Sequence, residues 1–121
     1  MKIITREETI QVLKNWQSHQ LSAIDVLEWA NKLYLNEDID YEDWEGDEPN
    51  SVTNEILAQL DSIDMNLIMI EDIPEMIKFL KTPVGDFEKG YKKWCDYINS
   101  IDLLKRKKEL KNIKLYEPFC K

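Results

Sequence analysis

The sequence predicts an all-α, single-domain bundle of about five to six helices, with an acidic loop between the second and third. Three observations carry this. A chain of 121 residues suits one hydrophobic core and is short for two. Three Gly and four Pro are too few for the closely spaced turns of an all-β sandwich. Apolar residues also recur at steps of three and four, the spacing of one helix face. With 43% hydrophobic and 33% charged residues, such a bundle can bury a core and keep its surface solvated.

Thr5-Arg6-Glu7-Glu8 places a hydroxyl three residues before a carboxylate, the spacing at which each satisfies a free amide at a helix start. The first helix is predicted from there to about His19, burying Ile10, Leu13 and Trp16 with Val12 beside them. Ser22-Ala23-Ile24-Asp25 repeats the pattern and opens a second helix, on which Ile24, Leu27, Ala30, Leu33 and Tyr34 form the stripe to about Leu35. The short link at Gln20 and Leu21 implies an antiparallel hairpin with Trp16 and Trp29 between the helices. Asn50-Ser51 opens a third helix to about Asp64, carrying Val52, Ile56, Leu57, Leu60 and Ile63.

Residues 67–70 are apolar throughout and fit either a helical turn or a buried connector. Asp72-Ile73-Pro74-Glu75 reads as a cap, a first-turn proline and an acidic partner for a fourth helix holding Met76, Ile77, Phe79 and Leu80. Thr82-Pro83 stops it, because the residue before proline disfavours the α conformation. Gly85-Asp86 caps a fifth helix with Phe87, Tyr91, Trp94, Cys95 and Ile98 on one face. After a break at residues 100–102, a sixth helix offers Leu103, Leu104 and Leu110 as apolar positions and Lys105, Arg106, Lys107, Lys108 and Lys111 as a basic surface. The tail, residues 113–121, is expected to dock as an extended segment.

The strongest local signal is residues 36–48, where eight acidic residues stand with no Lys or Arg among them. Tyr41 and Trp44 lie inside this run. Aromatic anchors ringed by one charge sign suit a protein-binding hot spot, since the rings supply buried area and the charges speed and orient docking. A solvated loop with Trp44 folded onto the core is the competing reading. The net charge of −8 disfavours nucleic acid and anionic membranes as partners and favours a basic protein.

Catalytic and metal motifs are thin. The single histidine, His19, falls at a predicted helix end, where a protonated imidazole would complement the helix dipole. Cys95 and Cys120 form no CxxC pair and read as free thiols, giving no zinc or redox site. The alternating Asp38, Asp40 and Glu42 suggest a calcium loop, but the EF-hand glycine and twelfth-position glutamate are missing. The glycines are scattered, which removes a phosphate loop. No cofactor is expected, and paired-carboxylate catalysis remains only a residual reading. Residues 1–8 lack the marks of a signal peptide, and the longest apolar run, residues 67–70, falls far short of the roughly 20 residues that cross a bilayer, so the cytoplasm is the expected location.

The run Leu21-Ser22-Ala23-Ile24-Asp25-Val26-Leu27-Glu28-Trp29-Ala30, the acidic stretch, Asn54-Glu55-Ile56-Leu57 and Glu71-Asp72-Ile73 resemble small acidic helical immunity proteins of bacterial toxin systems, of the colicin D and contact-dependent growth inhibition type. So does the ending, from Trp94 through Ser100-Ile101-Asp102, Arg106, Leu110 and Tyr116 to Pro118-Phe119. The resemblance spans most of the chain, but mainly at core and cap positions. It implies an all-α protein that covers the basic cleft of a cognate toxin domain, often a tRNA-cutting nuclease; a monomer or weak homodimer is expected. The expected interface is Glu37, Asp38, Asp40, Tyr41, Glu42, Asp43, Trp44, Glu45, Asp47 and Glu48. A helical adaptor that uses a groove instead is the alternative.

Overall fold

A computed structural model describes residues 1–45 and 49–121. Among these the chain is all-α but for one short strand pair. Its elements are β1 (Lys2–Ile4), α1 (Arg6–Gln17), α2 (Ala23–Tyr34), β2 (Ile39–Tyr41), α3 (Val52–Leu60), α4 (Ile73–Leu80), α5 (Phe87–Asn99) and α6 (Leu103–Leu110). Single 3-10 turns stand at Ile70–Asp72 and Glu117–Phe119. No helix among the described residues is long and apolar enough to cross a membrane.

Both capping boxes form as the sequence implies. Thr5 Oγ1 accepts from the Glu8 amide at 3.0 Å and Ser22 Oγ from the Asp25 amide at 3.1 Å, with each carboxylate returning to the cap's own N–H. The first helix ends sooner than His19, at Gln17. His19 sits at φ 66°, its N–H donating to Trp16 O and the Gln20 N–H to Asn15 O. This paired closure is the one in which glycine usually takes the left-handed residue, so the backbone of His19, not a charged imidazole, terminates the helix. Residues 61–67 repeat the device. Regular helix stops at Leu60 rather than Asp64, and Leu67 adopts φ 52° while Leu67 and Ile68 donate to Asp64 O and Ile63 O.

The short link folds α2 back onto α1, α3 packs on α2, and α4 lies against α1, α3 and α5. The core runs from Leu13 and Trp16 through Val26, Ala30 and Leu33 to Ile56, Leu57 and Leu60, then Met76, Phe79 and Leu80, and reaches Phe87 and Trp94. Trp29 is only half-buried at its edge, while Ile24 and Tyr34 are exposed and Val26 takes the inward position. The Phe79 and Trp94 rings stack at 5.9 Å. Gly90 permits α5 to press on the end of α4, since a Cβ there would collide with the Thr82 side chain.

The strand pair is the departure from an all-helical reading. β1 and β2 are parallel, with Lys2, Ile3 and Ile4 opposite Ile39, Asp40 and Tyr41. Parallel neighbours need a long crossover, and the α1–α2 hairpin is that crossover. Ile39 and Tyr41 alternate with Asp40, so the strand turns its apolar side to Ile4 and the core while remaining acidic in composition. The supposed loop is therefore anchored at its centre. The tail differs as well: it turns rather than extends, and Tyr116 is buried with its hydroxyl donating to Ile68 O at 2.6 Å.

A candidate protein-binding surface on an acidic frame

The acidic segment splits into carboxylates that face solvent and carboxylates that hold the fold. Leu35 ends α2, and Asn36 Oδ1 accepts from the Asp38 amide at 2.8 Å, turning the chain into β2. Glu37 and Asp38 are exposed and Asp40 is half-buried. The Met1 amine approaches Asp38 at 3.5 Å, in the open, where solvent screens such a pair. Tyr41 is buried and meets Trp44 edge to face, with centroids 5.5 Å apart. Trp44 keeps 41% of its surface exposed. Its indole N–H donates to Asp40 Oδ1 at 2.5 Å, and the Tyr41 amide donates to the same oxygen at 2.9 Å. The indole bond first, then the amide bond, holds the Asp40 carboxyl below its usual range.

Glu42, Asp43 and Glu45 reach three helix N-termini, Glu42 at the surface, Glu45 half-buried and Asp43 buried. Glu42 Oε1 accepts the Arg6 N–H at 2.8 Å, at the first residue of α1. Asp43 is buried and takes the Thr53 N–H at 3.2 Å, near the start of α3, with the Ser51 and Thr53 hydroxyls at 2.5 and 3.0 Å. Glu45 reaches the start of α5, its two oxygens accepting from the Gly85 and Phe87 amides at 2.8 Å each. Asp86, the predicted cap, makes no side-chain capping bond there; a residue forty positions earlier supplies it. Helix N-termini leave unpaired N–H groups and a partial positive charge, so each carboxylate offsets both.

Arg6 completes the frame. Its Nε donates to Asp43 Oδ2 at 2.8 Å, and its Nη1 donates to Leu80 O at 3.0 Å and to Thr82 O, carbonyls at the end of α4. Burial pushes the Asp43 carboxyl up, but hydrogen bonds from Ser51, Arg6 and Thr53 outweigh it and the net direction is down. The ion pair is nearly dry, with 16% and 2% of the two side chains exposed.

Of the ten residues expected at the interface, Glu37, Asp38, Glu42 and Trp44 are exposed and Asp40 is half-buried, Glu42 and Glu45 each hold a helix N-terminus, and Tyr41 and Asp43 are buried. Asp47 and Glu48 lie outside the described residues. Among the described residues, no group of three or more His, Cys, Asp or Glu is arranged to hold a metal ion.

A second polar cluster escaped the sequence reading. Arg106, placed on a basic surface by its neighbours, turns inward and pairs with buried Asp72 through two bonds of 2.7 and 2.6 Å. It also donates to Leu67 O at 3.0 Å, and Tyr97 OH donates to Asp72 Oδ1. Asp72 is therefore no cap for α4. It accepts from the Met69 amide at 2.8 Å and anchors α6 to the turn before α4. The signal was spacing: Arg106 stands three residues after Leu103 and four before Leu110, on the face of the one leucine that α6 buries.

Comparison with protein families, with characterised proteins and with solved structures finds no match.

Proposed function

We propose that this chain is a protein-binding inhibitor of the immunity type, which presents an acidic ledge of exposed Glu37 and Asp38 and half-buried Asp40, with Trp44 as its aromatic anchor, to the basic cleft of a toxin domain. The observation that carries the reading is charge segregation around this ledge. Residues 33–77 hold 14 carboxylates and no lysine or arginine, although the chain has 16 of those cations. Arg6 and Arg106, which turn toward this segment from outside it, are largely shielded from solvent and engaged by Asp43 and Asp72. The ledge thus keeps its negative field. A cleft built for a phosphate backbone offers clustered cations, and an acidic ledge complements them in place of nucleic acid. Exposed ion pairs add only about 0–1 kcal/mol each, so affinity rests on desolvating Trp44 while the carboxylates set encounter rate and orientation.

The test uses tagged chain to recover partners from host lysate at low salt, followed by association kinetics with the purified partner. A Glu37→Gln/Asp38→Asn/Asp40→Asn variant is expected to associate about tenfold more slowly with a flatter salt dependence, within the range of electrostatic steering. Trp44→Ala is expected to speed dissociation. A partner that is not basic, or one whose binding ignores both variants, would overturn the reading.

A further inference from the structure

The charge that residues 33–77 lack is concentrated near the end of the chain, where residues 103–121 hold seven Lys and Arg against two Glu. The same region frames a recess of about 450 Å³, walled by Met65 and Leu67 from the turn after α3, Ile98 of α5, Ile101 of the link that follows it, Leu103 of α6 and Phe119 of the tail. Its volume lies within the roughly 300–1,000 Å³ of pockets that take ligands. Met65 and Leu103 stand at its mouth with 59% and 53% of their surface exposed.

Three charged residues line the recess: Asp72, Arg106 and Lys107. Asp72 and Arg106 neutralise each other through their two bonds, so Lys107 is the uncompensated charge. Exposed Leu104, Lys108 and Lys111 follow at steps of four and three along the adjoining face of α6. An apolar hollow edged by lysine, on a chain of net charge −8, calls for an occupant that is apolar at its anchors and acidic beside them.

We propose that this recess docks a segment of a partner protein in which leucine or aromatic anchors are flanked by carboxylates. The anchors enter between Met65, Leu67 and Leu103, and the carboxylates meet Lys107 and the lysines beyond it. A bilayer fits less well, because the site is concave where an interfacial helix presents a continuous apolar face, and the chain's net negative charge opposes anionic lipid. The surface shares no residue with the acidic ledge, so the proposal stands apart from the toxin-binding reading.

The test selects a random 16-residue display library on the full chain, after depletion on a Leu103→Asp/Lys107→Glu variant whose folding is checked by circular dichroism. Both substituted side chains reach solvent. Enrichment of peptides pairing apolar anchors with Asp or Glu is expected, with at least tenfold weaker binding to the variant and none lost on Glu37→Gln/Asp38→Asn/Asp40→Asn. Amide shifts induced by a selected peptide in the wild-type chain should centre on Met65, Leu67 and Leu103, a readout that does not depend on either variant. Failure to enrich, enrichment of peptides without carboxylates, shifts centred elsewhere, or tighter sedimentation with phosphatidylglycerol vesicles than with the peptides would overturn the proposal.

Discussion

Replacing Asp43 with Asn separates frame from surface within the acidic segment. The substitution keeps size and one oxygen but removes the charge facing Arg6 Nε and an acceptor shared with the Thr53 amide and hydroxyl. Arg6 would then be a buried cation with only the Leu80 and Thr82 carbonyls for company. Breaking one side of such a pair costs about 3–5 kcal/mol, a large share of the ~5–15 kcal/mol that holds a domain folded. At roughly 4 °C per kcal/mol for a domain of this size, the melting temperature should fall by about 12–20 °C. Urea unfolding followed by tryptophan fluorescence measures the free-energy loss and a thermal melt the fall in temperature, with Asp38→Asn as control, since that carboxylate is 76% exposed and should shift stability by less than ~1 kcal/mol. The pH profile adds a second check. The folded Asp43 carboxyl titrates below its unfolded value of about 3.9, so its contribution is present above that pH and fades as pH falls through the lower folded value. Wild type and variant should therefore converge in strong acid. An Asp43→Asn protein within 1 kcal/mol of wild type at pH 7 would refute the frame.

Glu45→Ala should cost about 1–2 kcal/mol, the worth of a good cap, and hydrogen exchange should quicken at Gly85 and Phe87 while the α1 amides stay protected. His19→Gly should raise stability by about 1 kcal/mol in thermal melts, because φ 66° costs a residue with a Cβ and not glycine; a loss would mean that the imidazole does more than its backbone shows. In an absorbance titration Tyr41, Tyr97 and Tyr116 should ionise last, burial first among the causes that raise each to about 12. Because the folded values exceed the unfolded value of about 10, the stabilisation they represent is complete below pH 10 and is lost between pH 10 and 12, so alkaline unfolding should accompany their ionisation.

The helices were legible because their signals are local. Thr5 with Glu8 and Ser22 with Asp25 declare helix starts within four residues, and the structure keeps both boxes. What the sequence concealed is nonlocal. Nothing near Gly85 says that Glu45 caps α5, and nothing near Ile39 says that Lys2, Ile3 and Ile4 will pair beside it. A dense run of acid reads as a solvated loop because like charges repel, yet Glu42, Asp43 and Glu45 each find the positive end of a separate helix. Composition likewise put Arg106 on a lysine-rich surface, while its position on α6 turns it inward to Asp72. The exposed part of the predicted interface, Glu37, Asp38, Glu42 and Trp44, was readable because exposure there follows from the lack of local partners for so many carboxylates.

Glu42, Asp43 and Glu45 stand only a few residues after Glu37 and Asp38, whose side chains the fold hardly uses, and this shapes how the segment can vary over generations. Substitution at residue 43 perturbs contacts with residues 6, 51 and 53 together, so folding alone polices that position. Glu37 and Asp38 carry no such burden, and exchanging them alters the outward electric field while leaving helix ends satisfied. A lineage can therefore retune whom the ledge greets one residue at a time, without first solving the folding problem again.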